Sequence, residues 1–249
     1  MVFLPLLFVF TAAMKYSLIS VMEYRFGVFP PGTPEKILEE KNDFEPILLL
    51  PSARCDFEMR LRDGKGEDEF LRSAALSALE FYFFKIRGLP KMEMVISHSV
   101  SNFTLDGSNK ILFKFPKCKY KFTKERLELQ GADVECYRSD DILVFPAENL
   151  THFEESVFKT ASLRTLCGGG KLLAFSREGK ALRIKLRGGS SIEFAAILSY
   201  LVSLNDEFKK GDLFDFLFDS GRKMKVENLG NLNFEAKLQC ELSGFFEYL

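Results

Sequence analysis

Two stretches of this chain are apolar on nearly every side yet carry the end signals of helices, and they constrain the fold most. FLRSAALSALEFYFFKI (70–86) is preceded by Glu67, Asp68 and Glu69, and is closed by Lys85, Arg87, Gly88 and Pro90. Each of these charges complements the helix dipole, and the glycine and proline mark a stop. SSIEFAAILSYLVSLND (190–206) likewise opens on small residues and stays apolar around most of its circumference. A helix of that kind is buried on most sides, so the two segments, predicted over 69–87 and 190–205, must each be wrapped by other structure.

What remains to wrap them reads as strands. MKYSLISVMEYRFGVF (14–29) and PILLLPS (46–52) are apolar runs bounded by Pro, Gly and charge. DFEMRLRD (56–63) alternates with period two, Phe57, Met59 and Leu61 against Asp56, Glu58, Arg60 and Arg62. MEMVISHSVSNFTLD (92–106) and KILFKFPKCKYKF (110–122) follow. The pattern then restarts with strands, a glycine turn at CGGG (167–170), LLAFS and ALRIKLRGG. After the second helix come FDFLFDS, KMKVEN, LNFEAKLQ and LSGFFEYL. No linker separates the halves, so the chain reads as two domains, 14–120 and 121–239, repeated in architecture although the halves share little sequence.

A formal net charge of −1 over 249 residues gives no basic stripe for nucleic acid. The five cysteines (Cys55, Cys118, Cys136, Cys167, Cys240) are scattered without a C-x-x-C pair, which fits free thiols in a reducing, cytoplasmic setting. His98 and His152 are isolated, so no metal site is legible. MVFLPLLFVFTAA (1–13) is too short for a membrane span of about 20 residues and lacks the positive lead of a signal peptide. It is read as an upstream start before Met14, or else as an extra strand.

In order, these segments resemble diaminopimelate epimerase, a two-domain isomerase of lysine biosynthesis. The family opens M-K-F-x-K-M-x-G-x-G-N-D-F, where this chain has MKYSLISVMEYRF (14–26). It continues L-L-L-x-P-S-x-x-x-D-F-x-M-R-I-F-N-x-D-G, which ILLLPSARCDFEMRLRDGKG (47–66) follows closely. The resemblance implies an α/β (α+β) fold of two pseudo-symmetric domains, each a curved, mostly antiparallel sheet around a central helix. It also implies a final strand, about 240–249, that returns to the first domain.

The family needs no cofactor. Two cysteines, each at the start of a buried helix, face each other across a cleft and act as base and acid. Helix N-termini lower a thiol's pKa and bind a substrate carboxylate. Here the first motif, M-C-G-N-G, becomes L-R-S-A-A (71–75), with Arg72 in place of the cysteine and Ser73 and Ala75 in place of the glycines. The second, G-x-G-E-T-x-A-C-G-T-G, sets its glutamate on Glu193 and its cysteine on Ile197. No cysteine lies between Cys55 and Cys118, so no register restores the first thiol. Cys167 imitates the second motif, but GGG leads into a strand. The family's G-N-D-F asparagine falls on Tyr24 and the arginine before G-x-G-E on Gly189. Glu193 survives, although Ser190-x-x-Glu193 is also a capping box.

These substitutions imply a relative without the two-cysteine chemistry, binding a small amino-acid-like ligand or a protein partner. Arg72, Ser73, Ser190, Ser191 and Glu193 are the cleft candidates; catalytic residues, metal and cofactor are none, and neither nucleic acid nor membrane is a partner. The chain would be a monomer or a homodimer. The alternative is a functional epimerase or related isomerase of lysine biosynthesis using non-cysteine bases such as Glu193.

Overall fold

The computed structural model describes residues 14–62, 68–89, 93–98, 101–107, 111–129, 132–148, 150, 170–205 and 207–248. The segment 1–13, Glu67, His152 and Cys167 lie outside the described residues.

Among the described residues sixteen strands form two sheets. The first contains β1 (Met14–Val21), β2 (Tyr24–Phe29), β3 (Glu45–Pro51), β4 (Phe57–Arg60), β5 (Glu93–His98), β6 (Ser101–Asp106) and the C-terminal β16 (Cys240–Tyr248), in the order β16-β1-β2-β3-β4-β5-β6. The run 14–29 is therefore not one strand. Met22 takes a positive φ of 53°, and residues 22–23 turn the chain into a hairpin. The second sheet contains β7 (Leu112–Lys114), β8 (Thr123–Leu129), β9 (Ala132–Ser139), β10 (Ile142–Pro146), β11 (Lys171–Glu178), β12 (Ala181–Arg187), β13 (Leu213–Phe218), β14 (Lys223–Gly230) and β15 (Asn233–Lys237). Its order is β7-β15-β14-β13-β12-β11-β10-β9-β8.

Each sheet follows one plan: hairpin, parallel step, hairpin, parallel step through a helix, hairpin. In the first sheet the parallel steps are β2/β3 and β4/β5, and helix α1 (Glu69–Glu80) lies within the second of them. In the second they are β10/β11 and β12/β13, with helix α2 (Ser191–Leu204) in the second step. Parallel neighbours need a crossover long enough to span the sheet, which is why both helices fall at equivalent points. The contact-defined units follow the sheets: one ends at Ser108 and takes in the chain from Cys240, the other spans Asn109–Gln239. Residues 110–120, read from sequence with the first domain, supply β7, whose partner is β15 of the second sheet. Three residues of strand carry no local signal for the sheet they join.

Both helices are capped by their own side chains. Asp68 Oδ1 accepts from the N–H groups of Phe70 (2.9 Å) and Leu71 (3.1 Å), and Ser190 Oγ accepts from the N–H of Glu193 at 3.1 Å. Helix α2 buries Ile192, Phe194, Ala195, Ile197, Leu198, Leu201 and Val202, and each large apolar side chain among them contributes about 1.5–3 kcal/mol. The predicted helix over 69–87 changes character after Glu80: Phe81–Ile86 is π-helical, with Arg87 N–H donating to Tyr82 O. The wider turn lets the consecutive rings of Tyr82 and Phe83, packed edge to face at 5.2 Å, both reach the interior.

The other face of the first sheet carries a second apolar layer. Leu18, Phe29, Ile37, Phe44 and Leu48 form a cluster there, with Tyr16 stacked on Phe29 at 4.7 Å. Gly27 sits under that layer: a Cβ at this position would lie 2.5 Å from Phe44 Cε2. Among the described residues no helix is long and apolar enough to cross a membrane.

The junction at the end of α1 has a pH consequence. Burial, reinforced by Asp106 and opposed by Lys85, pushes the Glu80 carboxyl from 4.5 up to about 7. A carboxyl whose folded pKa is raised binds its proton more tightly in the folded state. Its stabilising contribution is therefore present below about pH 4.5 and lost as pH rises through about 7. After discounting for partial exposure, the loss is on the order of 1–2 kcal/mol. Glu80→Gln is expected to raise Tm by about 2–6 °C at pH 8 and to leave it unchanged at pH 5. Equal shifts at both pH values would refute the titration.

Candidate functional site

The head of α2 holds the densest polar cluster that the sequence pointed to. Glu193 lies in the first turn and is 7% exposed. Its carboxylate does not close the capping box. Instead Oε1 accepts from Lys171 Nζ at 2.6 Å and from Tyr120 Oη at 2.8 Å. Lys171 is the first residue of β11, and Tyr120 lies in the irregular stretch between β7 and β8. Burial, then the hydrogen bond to Glu193, holds the Tyr120 phenol well above its ordinary range. A buried carboxylate is costly unless it is paired and hydrogen-bonded, and this one has both kinds of partner. It is thus already occupied as an ion-pair partner rather than presented as a base.

Gly189 precedes the cap with φ +103°, and a Cβ there would lie 3.0 Å from Glu193 Oε2. The position that the sequence matched to the family's arginine is therefore reserved for glycine by backbone and space. Ser190 is used as the cap, and Ser191 is buried. Ile197 is 1% exposed in the second turn of α2. Because Ser190 starts the helix early, the position aligned with the second cysteine lies inside the core and not at the helix start.

The head of α1 is different. Arg72 closes the first turn, half-buried, with its guanidinium 5.7 Å above the Phe103 ring. Asp68, four residues before Arg72, spends its carboxylate on the cap, and Arg72 has no carboxylate partner among the described residues. His98 on β5 faces the same interior side as Phe103. It is 8% exposed, and its Nδ1 finds no hydrogen-bond partner among the described residues. Burial first, then the Arg72 charge, pushes the imidazole below its ordinary pKa, which favours its neutral form. Ser73 is taken up by the helix, its Oγ donating to Glu69 O at 2.7 Å.

Two of the described thiols are held away from the thiolate form. Burial pushes Cys240 up to about 12, and burial also raises Cys118, the cysteine near Tyr120. Reactive cysteines show the opposite shift. Among the described residues no group of three or more His, Cys, Asp or Glu could hold a metal ion.

Sequence reasoning named Arg72 and Glu193 but missed Lys171, Tyr120, His98 and Phe103. Lys171 and Tyr120 stand 22 and 73 residues from Glu193, and neither sits in a motif that would single it out.

No family model matches the sequence, and no curated protein does. Solved structures do match. A phenazine biosynthesis protein of the PhzF family from Bacillus anthracis superposes with TM-score 0.63 at 12% identity, covering 95% of this chain and 99% of that one. A PhzC/PhzF protein from Clostridium difficile gives TM-score 0.63 at 16% identity, covering 94% and 98%. A hydroxyproline epimerase from Agrobacterium vitis, with bound trans-4-hydroxy-L-proline, gives 0.54 at 11% identity, covering 96% and 93%. The chain has the diaminopimelate-epimerase-like fold that PhzF-family proteins share with proline racemase-like isomerases. These likenesses do not single out diaminopimelate epimerase within that fold.

Proposed function

We propose that this chain is a catalytically silent binder on an isomerase fold, holding a small amino-acid-like ligand by its carboxylate at Arg72. The observation that carries the reading is the state of Arg72. The guanidinium is half-buried against an aromatic ring and free of protein anions among the described residues. A guanidinium in that condition binds a carboxylate through two parallel hydrogen bonds and gains from the low local dielectric. The orphaned Nδ1 of neutral His98 supplies a second polar contact for the same ligand. The hydroxyproline epimerase with its bound amino acid supports the ligand class.

Silence follows from what the two helix heads lack. A two-base isomerase needs a proton acceptor and a proton donor on opposite faces of one carbon. At the aligned positions, Arg72 and Ile197 can supply neither. Glu193 is neutralised by Lys171, which argues against a carboxylate base in their place. Removing one essential acid–base group typically costs 10²–10⁴-fold, and here both are replaced.

In D₂O, the purified protein is expected to incorporate deuterium at the α-carbon of LL- or meso-diaminopimelate only at the no-enzyme rate. A known epimerase serves as the positive control. Titration with a panel of amino acids followed by NMR should find a ligand whose affinity falls about 10–100-fold in Arg72→Ala, the loss of one charged hydrogen-bonding group. Exchange above background that disappears in Glu193→Gln would instead establish an isomerase with non-cysteine bases.

A further inference from the structure

We infer that His98 is the second anchor of the Arg72 site and takes up a proton as a carboxylate docks there, so that the site binds the anion and the proton together. This rests on the ligand reading above and adds to it what regulates that site. β5 and β6 pair His98 with Ser101 and Ile96 with Phe103, so His98 and Phe103 are diagonal neighbours on one face of the sheet. The Arg72 guanidinium lies 5.7 Å above the Phe103 ring, and its charge acts on the imidazole. His98 is 8% exposed, and its Nδ1 has no hydrogen-bond partner among the described residues. A buried polar atom left unpaired is costly, and a ligand on Arg72 relieves that cost.

Among the described residues, the charge at this ring that a ligand can cancel comes from α1, and it is Arg72. β4 contributes Glu58, which favours the imidazolium. Glu58 pairs in register with Ser97, on the opposite face of the sheet, and accepts from Arg60 at 3.0 Å, so a ligand on Arg72 leaves it as it is. β6 sets the uncharged Ser101 opposite the ring. Burial and Arg72 together keep the imidazole neutral in the free protein. A carboxylate held by Arg72 reverses the field there. It neutralises the cation that opposed the second proton, and it brings an acceptor for a protonated Nδ1. A nearby carboxylate favours the imidazolium, so the ring's pKa is higher in the complex than in the free protein. By linkage, affinity is full while the free ring is protonated and is lost as pH rises through the pKa of the complex. Arginine stays charged throughout, so His98 sets the dependence.

The probe is acetate, the smallest carboxylate that can make the paired contact to a guanidinium, and the protein is the full chain. The chain has two histidines, His98 and His152, so both ring signals can be followed by NMR and assigned with His152→Gln. The titration runs from about pH 5.5 to 9 in about 0.3 M sodium acetate or the same concentration of sodium chloride, which keeps screening equal. Acetate is expected to move the His98 midpoint to higher pH than chloride does, and the difference should vanish in Arg72→Ala. Acetate affinity, read from amide shifts around Arg72, should fall about 3–10-fold between about pH 5.5 and 8, and His98→Asn should bind acetate without that dependence. If acetate shifts the amides around Arg72 in the parent but not in Arg72→Ala, while the His98 midpoint stays where chloride leaves it, proton uptake is overturned and the Arg72 reading stands. A midpoint shift that persists in Arg72→Ala also overturns the proposal. No Arg72-dependent response to acetate at any pH overturns the anchor, and this proposal with it.

Discussion

Replacing Lys171 by methionine is expected to destabilise the protein by about 2–3 kcal/mol at pH 7. Methionine keeps the apolar stem and removes only the ammonium, leaving the 7%-exposed Glu193 carboxylate with the Tyr120 hydroxyl as its remaining side-chain partner among the described residues. Breaking a buried ion pair from one side costs about 3–5 kcal/mol. Lys171 retains some exposure, with 28% of its side chain accessible, which moves the expectation to the lower end. For a chain of this size, Tm should fall by roughly 5–12 °C. The double variant Lys171→Met/Glu193→Gln should regain most of that loss, since removing both charges leaves no stranded carboxylate. Tyr120→Phe should cost less, about 1 kcal/mol for one hydrogen bond. If the double variant is no more stable than Lys171→Met, the contact between the two charges is not what holds this site together.

Gly27→Val should cost a similar amount for an unrelated reason. Gly27 is the buried fourth residue of β2, and the Phe44 ring occupies the space a side chain would need, with Cε2 and Cδ2 at 2.5 and 2.8 Å from the Cβ position. Phe44 cannot swing aside freely, because Tyr16 and Phe29 pack against it at ring separations of 5.3 and 6.2 Å. Overpacking of this kind costs about 1–3 kcal/mol, and a β-branched residue belongs at the upper end. Thermal denaturation should show a fall of about 6–12 °C, partly relieved by Phe44→Leu, which vacates the ring. A Gly27→Val protein melting within 2 °C of the parent would mean that the layer over β2 is loose.

These two positions also separate what is local in this chain from what is not. The helices over 69–80 and 191–204 were legible because their signals lie within a turn of where they act. Asp68 and Ser190 cap the segments they precede, and the apolar circumference of each helix requires burial whatever surrounds it. Strand alternation in 57–61 and the chain of runs after residue 213 were legible for the same reason. The resemblance of 47–66 to an epimerase segment pointed to a fold that the solved structures independently share. The absence of cysteine between Cys55 and Cys118 is read from the sequence alone.

Only the tertiary structure decided the use of these parts. Ser190-x-x-Glu193 reads as a capping box, and half of it forms. The other half is overruled because a lysine at the start of β11 and a tyrosine before β8 offer the carboxylate stronger partners, and sequence distance hides both. Arg72 could have been neutralised by Asp68; it is free of that partner because the cap takes the carboxylate first and Phe103, on a strand 31 residues later, provides a face to stack on. The π-helical turn at 81–86 arises because two consecutive rings compete for one interior. Caps and periodicity are satisfied by neighbours in sequence and so are written locally. Ion pairs, ring stacking and the space above a glycine are satisfied by whatever the sheets bring close, and the chain specifies them only once it is folded.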